Sequence, residues 1–97
     1  MIIIAGHLRV APNERDQYLL AVEDVALRAR GATGCFDFVQ SADPVDSDRI
    51  NIYERWDSDE ALMSFRTSGS DESEPQTLPA VLGANVAKYR ISAVEDP

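Results

Sequence analysis

The sequence predicts an α+β fold of the ferredoxin-like type, with element order βαββαβ and a four-stranded antiparallel sheet that carries its helices on one face. Three observations support this prediction. The chain has 97 residues, the size of one small domain, so residues 1–97 are treated as a single domain. Four short segments are rich in β-branched and apolar residues. Two other segments repeat their apolar residues with helical spacing.

The first strand is predicted at residues 2–10, which form an apolar and β-branched run. Ile2 and Ile4 fall on one face of this strand, and Ile3 falls on the other. Both faces are therefore expected to be covered. A helix is predicted at residues 13–30, because apolar residues recur there at three- and four-residue steps.

The middle of the chain predicts a β-hairpin followed by a helix. Two strand-like segments, residues 34–42 and residues 49–56, flank the turn-forming residues 43–47. Directly after the second of these strands, Asp57 and Glu60 have the spacing of a capping box. The second helix is therefore expected to begin at this point.

In the C-terminal third of the chain, the sequence predicts an irregular stretch and a final strand. The second helix is expected to end near Arg66. Residues 67–77 are predicted to form a flexible acidic loop, since the first eight of them include no apolar side chain. A short helical turn is predicted at residues 78–82, before a last strand at residues 85–94.

Two helices can cover only one face of the predicted sheet. The apolar residues on the other face of strand one, together with Val86 or Tyr89 on strand four, then need a partner. A second copy of the same sheet is the simplest partner. The sequence thus predicts a homodimer that associates through its sheet faces.

Charge and composition exclude several classes of partner. The chain has 9 Lys and Arg against 17 Asp and Glu, a net charge of −8. Nucleic acids and anionic membranes favour clustered basic residues, so neither is an expected partner. The apolar run at residues 2–5 is far shorter than the ~20 residues of a membrane span. One cysteine, Cys35, allows no internal disulfide, which fits a cytoplasmic protein, and no cluster typical of a metal site is present.

Residues 50–65, INIYERWDSDEALMSF, resemble the signature of the antibiotic biosynthesis monooxygenase family around its third strand and second helix. In that family a Glu-x-Trp, followed by Asp or Glu and Ser, opens the second helix. Residues 34–38, the turn at 41–44 and residues 87–89 are also similar to the family pattern. The resemblance covers nearly the whole chain except residues 67–77.

The resemblance implies a dimeric α+β barrel with a pocket in each subunit, between the sheet and its helices. The best-studied members of this family oxidise phenols or hydroquinones to quinones with O2, and they use neither flavin nor metal. By this resemblance the chain is expected to be a cofactor-independent monooxygenase that acts on a small aromatic phenol or hydroquinone and O2. This inference from the family to an activity rests on analogy.

Two comparisons within the family refine this expectation. The haem-degrading branch uses an Asn on strand one, a Trp that ends strand three and a later His. The corresponding positions are His7 and Trp56, and no histidine follows residue 7, so haem degradation is disfavoured. The phenol-oxidising members have an Asn four residues before the Trp. This chain departs from them, since Ile52 occupies that position and Asn51 falls on the opposite strand face.

The expected catalytic residues are His7, Glu54 and Trp56. His7 is the natural proton acceptor for a phenol, because an unperturbed histidine titrates near neutral pH. Glu54 is expected to orient His7, or else to form a structural ion pair with an arginine. Trp56 offers a flat wall for an aromatic ring, but it also suits the protein core.

Six apolar or aromatic residues are candidates for lining the pocket, although their spacing suits an ordinary core equally: Tyr18, Phe36, Phe38, Ile52, Leu62 and Phe65. Two other functions stay open. The protein is either a non-catalytic barrel that binds a hydrophobic small molecule, or an isomerase or cyclase that uses a base without O2. Ligand stabilisation without turnover would indicate the first alternative, and turnover without oxygen would indicate the second.

Overall fold

The computed structural model describes residues 1–68 and 78–97 and confirms the α+β ferredoxin-like fold. One antiparallel sheet has the strand order β2-β3-β1-β4. Its strands are β1 (Ile2–Val10), β2 (Cys35–Ala42), β3 (Arg49–Trp56) and β4 (Val81–Arg90). The predicted bounds of β1 and β3 are confirmed, and so is the hairpin between β2 and β3.

The helical segment after β1 is interrupted once. A 3₁₀ turn at Pro12–Glu14 leads into α1 (Arg15–Ala21), and α2 (Glu23–Arg30) follows after Val22. Val22 adopts φ −94° and ψ 2°, which lie outside the helical range. Backbone hydrogen bonds from Val22 to Tyr18 and from Ala26 to Val22 nevertheless bridge the interruption. The single predicted helix at 13–30 is thus two short helices in series.

The second predicted helix is α3 (Asp59–Ser68), and its N-terminal cap differs from the prediction. The hydroxyl of Ser58 accepts a hydrogen bond from the amide of Ala61 at 3.1 Å. Ser58 is therefore the capping residue, one position after the predicted Asp57. The backbone amide of Asp57 instead donates to the carbonyl of Gly34 at 2.7 Å, which anchors the start of α3 to the start of β2.

Three predictions for the C-terminal third need correction or lie outside the description. The predicted helical turn at 78–82 does not form, since β4 already begins at Val81. This strand ends at Arg90, which pairs with Ile2, the first residue of β1. In the predicted acidic loop, residues 67 and 68 belong to α3, and residues 69–77 lie outside the described part of the chain.

Strand register divides the sheet into two faces. The packed face, against the helices, carries the even-numbered residues of β1 and β3, while their odd-numbered neighbours lie on the open face. The packed face includes Ile2, Ile4, Phe38, Ile50, Ile52, Glu54 and Trp56. The open face includes Ile3, Ala5, His7, Tyr53, Arg55, Ala87 and Tyr89. Of the two residues predicted for this face on β4, Val86 lies opposite Gly6 on the packed face instead.

The core between sheet and helices has two clusters. The larger cluster, at the α3 end, contains Ile2, Ile4, Ala29, Phe38, Trp56 and Leu62. The smaller cluster, at the α1 end, contains Val10, Tyr18, Val22 and Ile50. Between them, a row across the sheet consists of Gln40, Ile52 and Gly6, which pair in that order. This row is where the two halves of the core meet.

Candidate functional site

Trp56 is the largest side chain of the core, and it is one partner of a partly buried polar contact. Its exposed fraction is 0%, and its indole Nε1 donates a hydrogen bond to Oε1 of Glu54 at 3.0 Å. Phe65 on α3 lies against the indole with a centroid distance of 5.4 Å. Phe38 meets Phe65 edge-on at 6.2 Å. The indole is thus packed on its face and hydrogen-bonded at its edge.

Glu54 is a half-buried carboxylate on the packed face, opposite Phe38 and Ile4. The arginines considered as its partners form ion pairs elsewhere: Arg9 with Asp46 and Asp48, Arg55 with Asp37, and Arg90 with Asp59. Because Trp56 uses only Oε1, the second carboxylate oxygen is the one that can face a ligand. The arrangement fixes a proton acceptor on the side of the sheet that the helices cover.

His7 lies on the open face, opposite Asn51 and Asn85 of the neighbouring strands. Glu54 pairs with Ile4 on the other side of the sheet. The structure therefore does not bring His7 and Glu54 together, and a hydrogen bond between them within one chain is excluded by the sheet itself. The odd position of His7 on β1 decides this placement.

A groove opens between the α1 and α2 helices and strand β2. It has a volume of about 240 Å³ and is lined by Leu19, Val22, Glu23, Ala26, Leu27, Arg30 and Gln40. Leu19, Val22, Ala26 and Leu27 make most of this lining apolar. Arg30 is held at its position because its Nε donates to the carbonyl of Phe38 at 2.8 Å. The groove meets the row between the two core clusters at its Gln40 end, on the edge strand β2.

None of the six predicted pocket residues is among the seven residues that line this groove. Phe38, Leu62 and Phe65 belong to the larger core cluster, and Tyr18 belongs to the smaller one, where burial raises the pKa of its hydroxyl. Ile52 is buried opposite Gln40. Phe36 is placed elsewhere, because a bulge between Cys35 and Asp37 turns it to the surface under the guanidinium of Arg55.

Sequence reasoning named none of the groove's lining residues as part of a site, and Gln40 is the one among them that lies on the sheet. Its Oε1 is buried and has no hydrogen-bond partner in the described part of the chain. The signal was present in the sequence, since the strict alternation of β2 after Phe38 places residue 40 on the same face as Phe38. A polar residue on an otherwise apolar strand face is the kind of exception that marks a site.

The other chemically reactive groups indicate no further centre. Burial raises the pKa of the Cys35 thiol, with a smaller contribution from Glu54, so it is a poor nucleophile at neutral pH. Among residues 1–68 and 78–97, no three His, Cys, Asp or Glu side chains are grouped to hold a metal ion. None of the described helices has the length and apolar character needed to cross a bilayer.

The comparisons with known proteins agree on the fold. The family model described as antibiotic biosynthesis monooxygenase matches residues 1–71. No curated protein sequence matches the chain. A candidate monooxygenase of this kind from Deinococcus radiodurans is 16% identical over 100% of this chain and 98% of its own, with a TM-score of 0.75.

Two further solved structures are similar at comparable coverage. A candidate antibiotic biosynthesis monooxygenase from Chloroflexus aurantiacus is 24% identical over 98% of this chain and 96% of its own, with a TM-score of 0.68. The heme-degrader MhuD from Mycobacterium tuberculosis, solved with two hemes bound in its active site, is 13% identical over 99% of this chain and 100% of its own, with a TM-score of 0.69. At these identities the likeness concerns the fold.

Proposed function

The chain belongs to the antibiotic biosynthesis monooxygenase family, and we propose that it oxidises an aromatic phenol or hydroquinone with O2, without a cofactor, in the groove beside Gln40. The observation that carries this proposal is a largely apolar groove on the same sheet face as a fixed carboxylate. The groove is lined mainly by apolar side chains, and Glu54 lies one row along the same sheet face from Gln40. Diagonal neighbours of this kind have Cβ atoms about 7–8 Å apart.

In the proposed reaction the groove holds the aromatic ring and Glu54 takes the phenolic proton. The resulting phenolate is electron-rich and passes an electron to O2, and the apolar lining keeps water away from the intermediate. With a phenol, one oxygen atom of O2 enters the ring as a quinone carbonyl and the other leaves as water. A hydroquinone already carries both oxygens, so it loses two electrons and two protons to O2, which leaves as hydrogen peroxide. Trp56 acts as a positioning residue, because its Nε1 holds the carboxylate that accepts the proton.

Haem is a less suitable substrate than a phenol in this proposal. The heme-degrader MhuD is similar to the chain in fold. However, the single histidine of the sequence is His7, which lies on the open face and not beside the groove. The described residues therefore offer no histidine to ligate a haem iron in the groove.

Two more features complete the proposal. The protein forms a homodimer through its open face, where Ile3, Ala5, Tyr53 and Tyr89 lie on the side of the sheet away from the described helices. It works in the cytoplasm, where a single cysteine stays reduced. Its net charge of −8 argues against nucleic acid as a partner.

The direct test is oxygen consumption by the purified protein with naphthohydroquinones and anthrones, in metal-free and flavin-free buffer. We expect uptake above the uncatalysed rate, and we expect Glu54→Gln to reduce kcat at least about tenfold, since general base catalysis typically contributes more than that. The amide of this variant can still accept from Trp56, so the core contact is preserved. His7→Gln is the matched variant, because His7 is the rival proton acceptor.

Each result of this test has a defined meaning. A loss in the His7 variant, with none in the Glu54 variant, would move the proton acceptor to the open face and into the dimer. Stabilisation by the ligand without oxygen uptake would indicate a binding protein. Equal conversion under nitrogen would indicate an isomerase or a cyclase.

A further inference from the structure

We propose that Gln40 determines the specificity of the groove, by accepting a hydrogen bond from the hydroxyl of a neutral aromatic ligand. This inference rests on the proposed function in one respect, since it takes the same groove as the binding site. It adds a residue and a selection rule: the site distinguishes a free hydroxyl from the same group capped as an ether. The family resemblance assigns no role to this position.

The placement of Gln40 makes its amide the uncharged polar group of a groove whose other lining residues are four apolar side chains, Glu23 and Arg30. It lies in the row between the two core clusters, opposite Ile52, whose exposed fraction is 8%. The next residue in that row, Gly6, contributes no side chain. Val22, at the helix interruption, and Ala26, on α2, line the groove together with Gln40. The amide thus has apolar neighbours on the sheet and on the helices.

The buried Oε1 of Gln40 has no donor in the described part of the chain. Such an oxygen costs free energy comparable with a lost hydrogen bond, and a leucine of similar size would avoid that cost. A ligand that brings a hydroxyl to this oxygen recovers the cost on binding. Leu27 is 66% exposed at the groove, so its side chain can turn aside when a ligand enters.

The charges around the groove favour a neutral ligand. Glu23 and Arg30 both line the groove and carry opposite charges, so the lining itself favours neither an anion nor a cation. The net charge of −8 on the chain disfavours an anionic molecule. The favoured ligand is therefore an uncharged ring with a hydroxyl donor. In a hydroquinone, this is the hydroxyl other than the one whose proton Glu54 takes.

The experiment compares a naphthol with its own methyl ether, measured by calorimetric titration under nitrogen so that no oxidation occurs. We expect the wild-type protein to bind the naphthol about tenfold more tightly, because the ether lacks the donor. Gln40→Leu should bind both compounds equally. It should also melt at a higher temperature than the wild type without ligand, since the unpaired buried oxygen is gone. Gln17→Leu, the same change at an exposed position on α1, should keep the preference.

The inference is overturned if the wild type binds both compounds equally or binds neither. It is also overturned if Gln40→Leu keeps the preference for the naphthol. The proposed function fails separately: a Gln40-dependent preference without oxygen uptake would leave this inference standing and remove the oxidation. Oxygen uptake without a preference for the naphthol would support the oxidation and overturn this inference.

Discussion

The two faces of the sheet use the same strands for different purposes. On the packed face, Ile2 and Trp56 have exposed fractions of 0%, whereas Tyr53 and Tyr89 on the open face are 37% and 54% exposed. Alternation along each strand separates them, since neighbouring residues point to opposite sides. The packed face therefore stabilises the single chain, and the open face is available for association. Variants on each face should separate the two properties.

The largest effect is expected from Trp56→Ala. Removing a fully buried Trp leaves a cavity and costs about 3–5 kcal/mol in the free energy of unfolding. Chemical denaturation checks this value, and Trp56→Phe should recover much of it because the ring still packs on Phe65. Tyr89→Ala, on the open face, should change the stability of the isolated chain by no more than about 0.5 kcal/mol. A comparable loss from both substitutions would contradict the division between faces.

Tyr89→Arg is expected to abolish dimer formation while leaving the fold of each chain unchanged. Tyr89 lies opposite Ile3 near the start of β1, so a charged side chain there places an unpaired charge inside the proposed dimer. Light scattering coupled to gel filtration should show half of the wild-type mass, with an unchanged circular dichroism spectrum. Leu20→Arg is the control, since Leu20 is 72% exposed on α1 and should leave the mass unchanged. A wild-type protein that runs as a monomer would remove the dimer from the proposal.

The smallest effect concerns the edge of the packed face, where ion pairs replace apolar contacts. Hydrogen bonds from Arg90 and then Lys88 lower the pKa of Asp59 to about 2, from an ordinary value of 3.8. Its contribution to stability is therefore complete above about pH 4 and is lost as the pH falls through about 2. The difference in melting temperature between wild type and Asp59→Asn should shrink as the pH falls from about 4 to about 2. A difference that stays constant down to pH 2 would show that these contacts do not stabilise the fold.

Local sequence patterns predicted β1 and β3 residue for residue, because their alternation and flanking turns are encoded nearby. The bounds of β4 were not predicted, for a tertiary reason. Val81 joins the strand since it pairs with Val10. The last residue pair with β1 is Arg90 with Ile2, beyond which the amide of Ile91 still donates to the carbonyl of Met1 at 3.1 Å. Residues 91–94 include apolar side chains that also suit a strand, so the apolar pattern alone placed the end of β4 too far along the chain.

The candidate site shows the same limit. The contact between Glu54 and Trp56 follows from two residues on one strand face, and sequence spacing predicted that shared face. The separation of His7 from Glu54 depends on strand register, which fixes the faces of two different strands relative to each other. The groove at Gln40 depends on how α1 and α2 lie over the sheet, and no spacing rule contains that packing.

Strand β1 lies in the middle of the sheet although it comes first in the chain, and this order has a consequence for synthesis. Its two neighbours are β3 and β4, and the latter spans Val81–Arg90. A ribosome therefore releases β1 long before its second partner exists, and during that time one edge of a very apolar strand is unpaired. Contacts between such distant segments close slowly. The nascent chain is thus most prone to aggregate before its last strand has emerged.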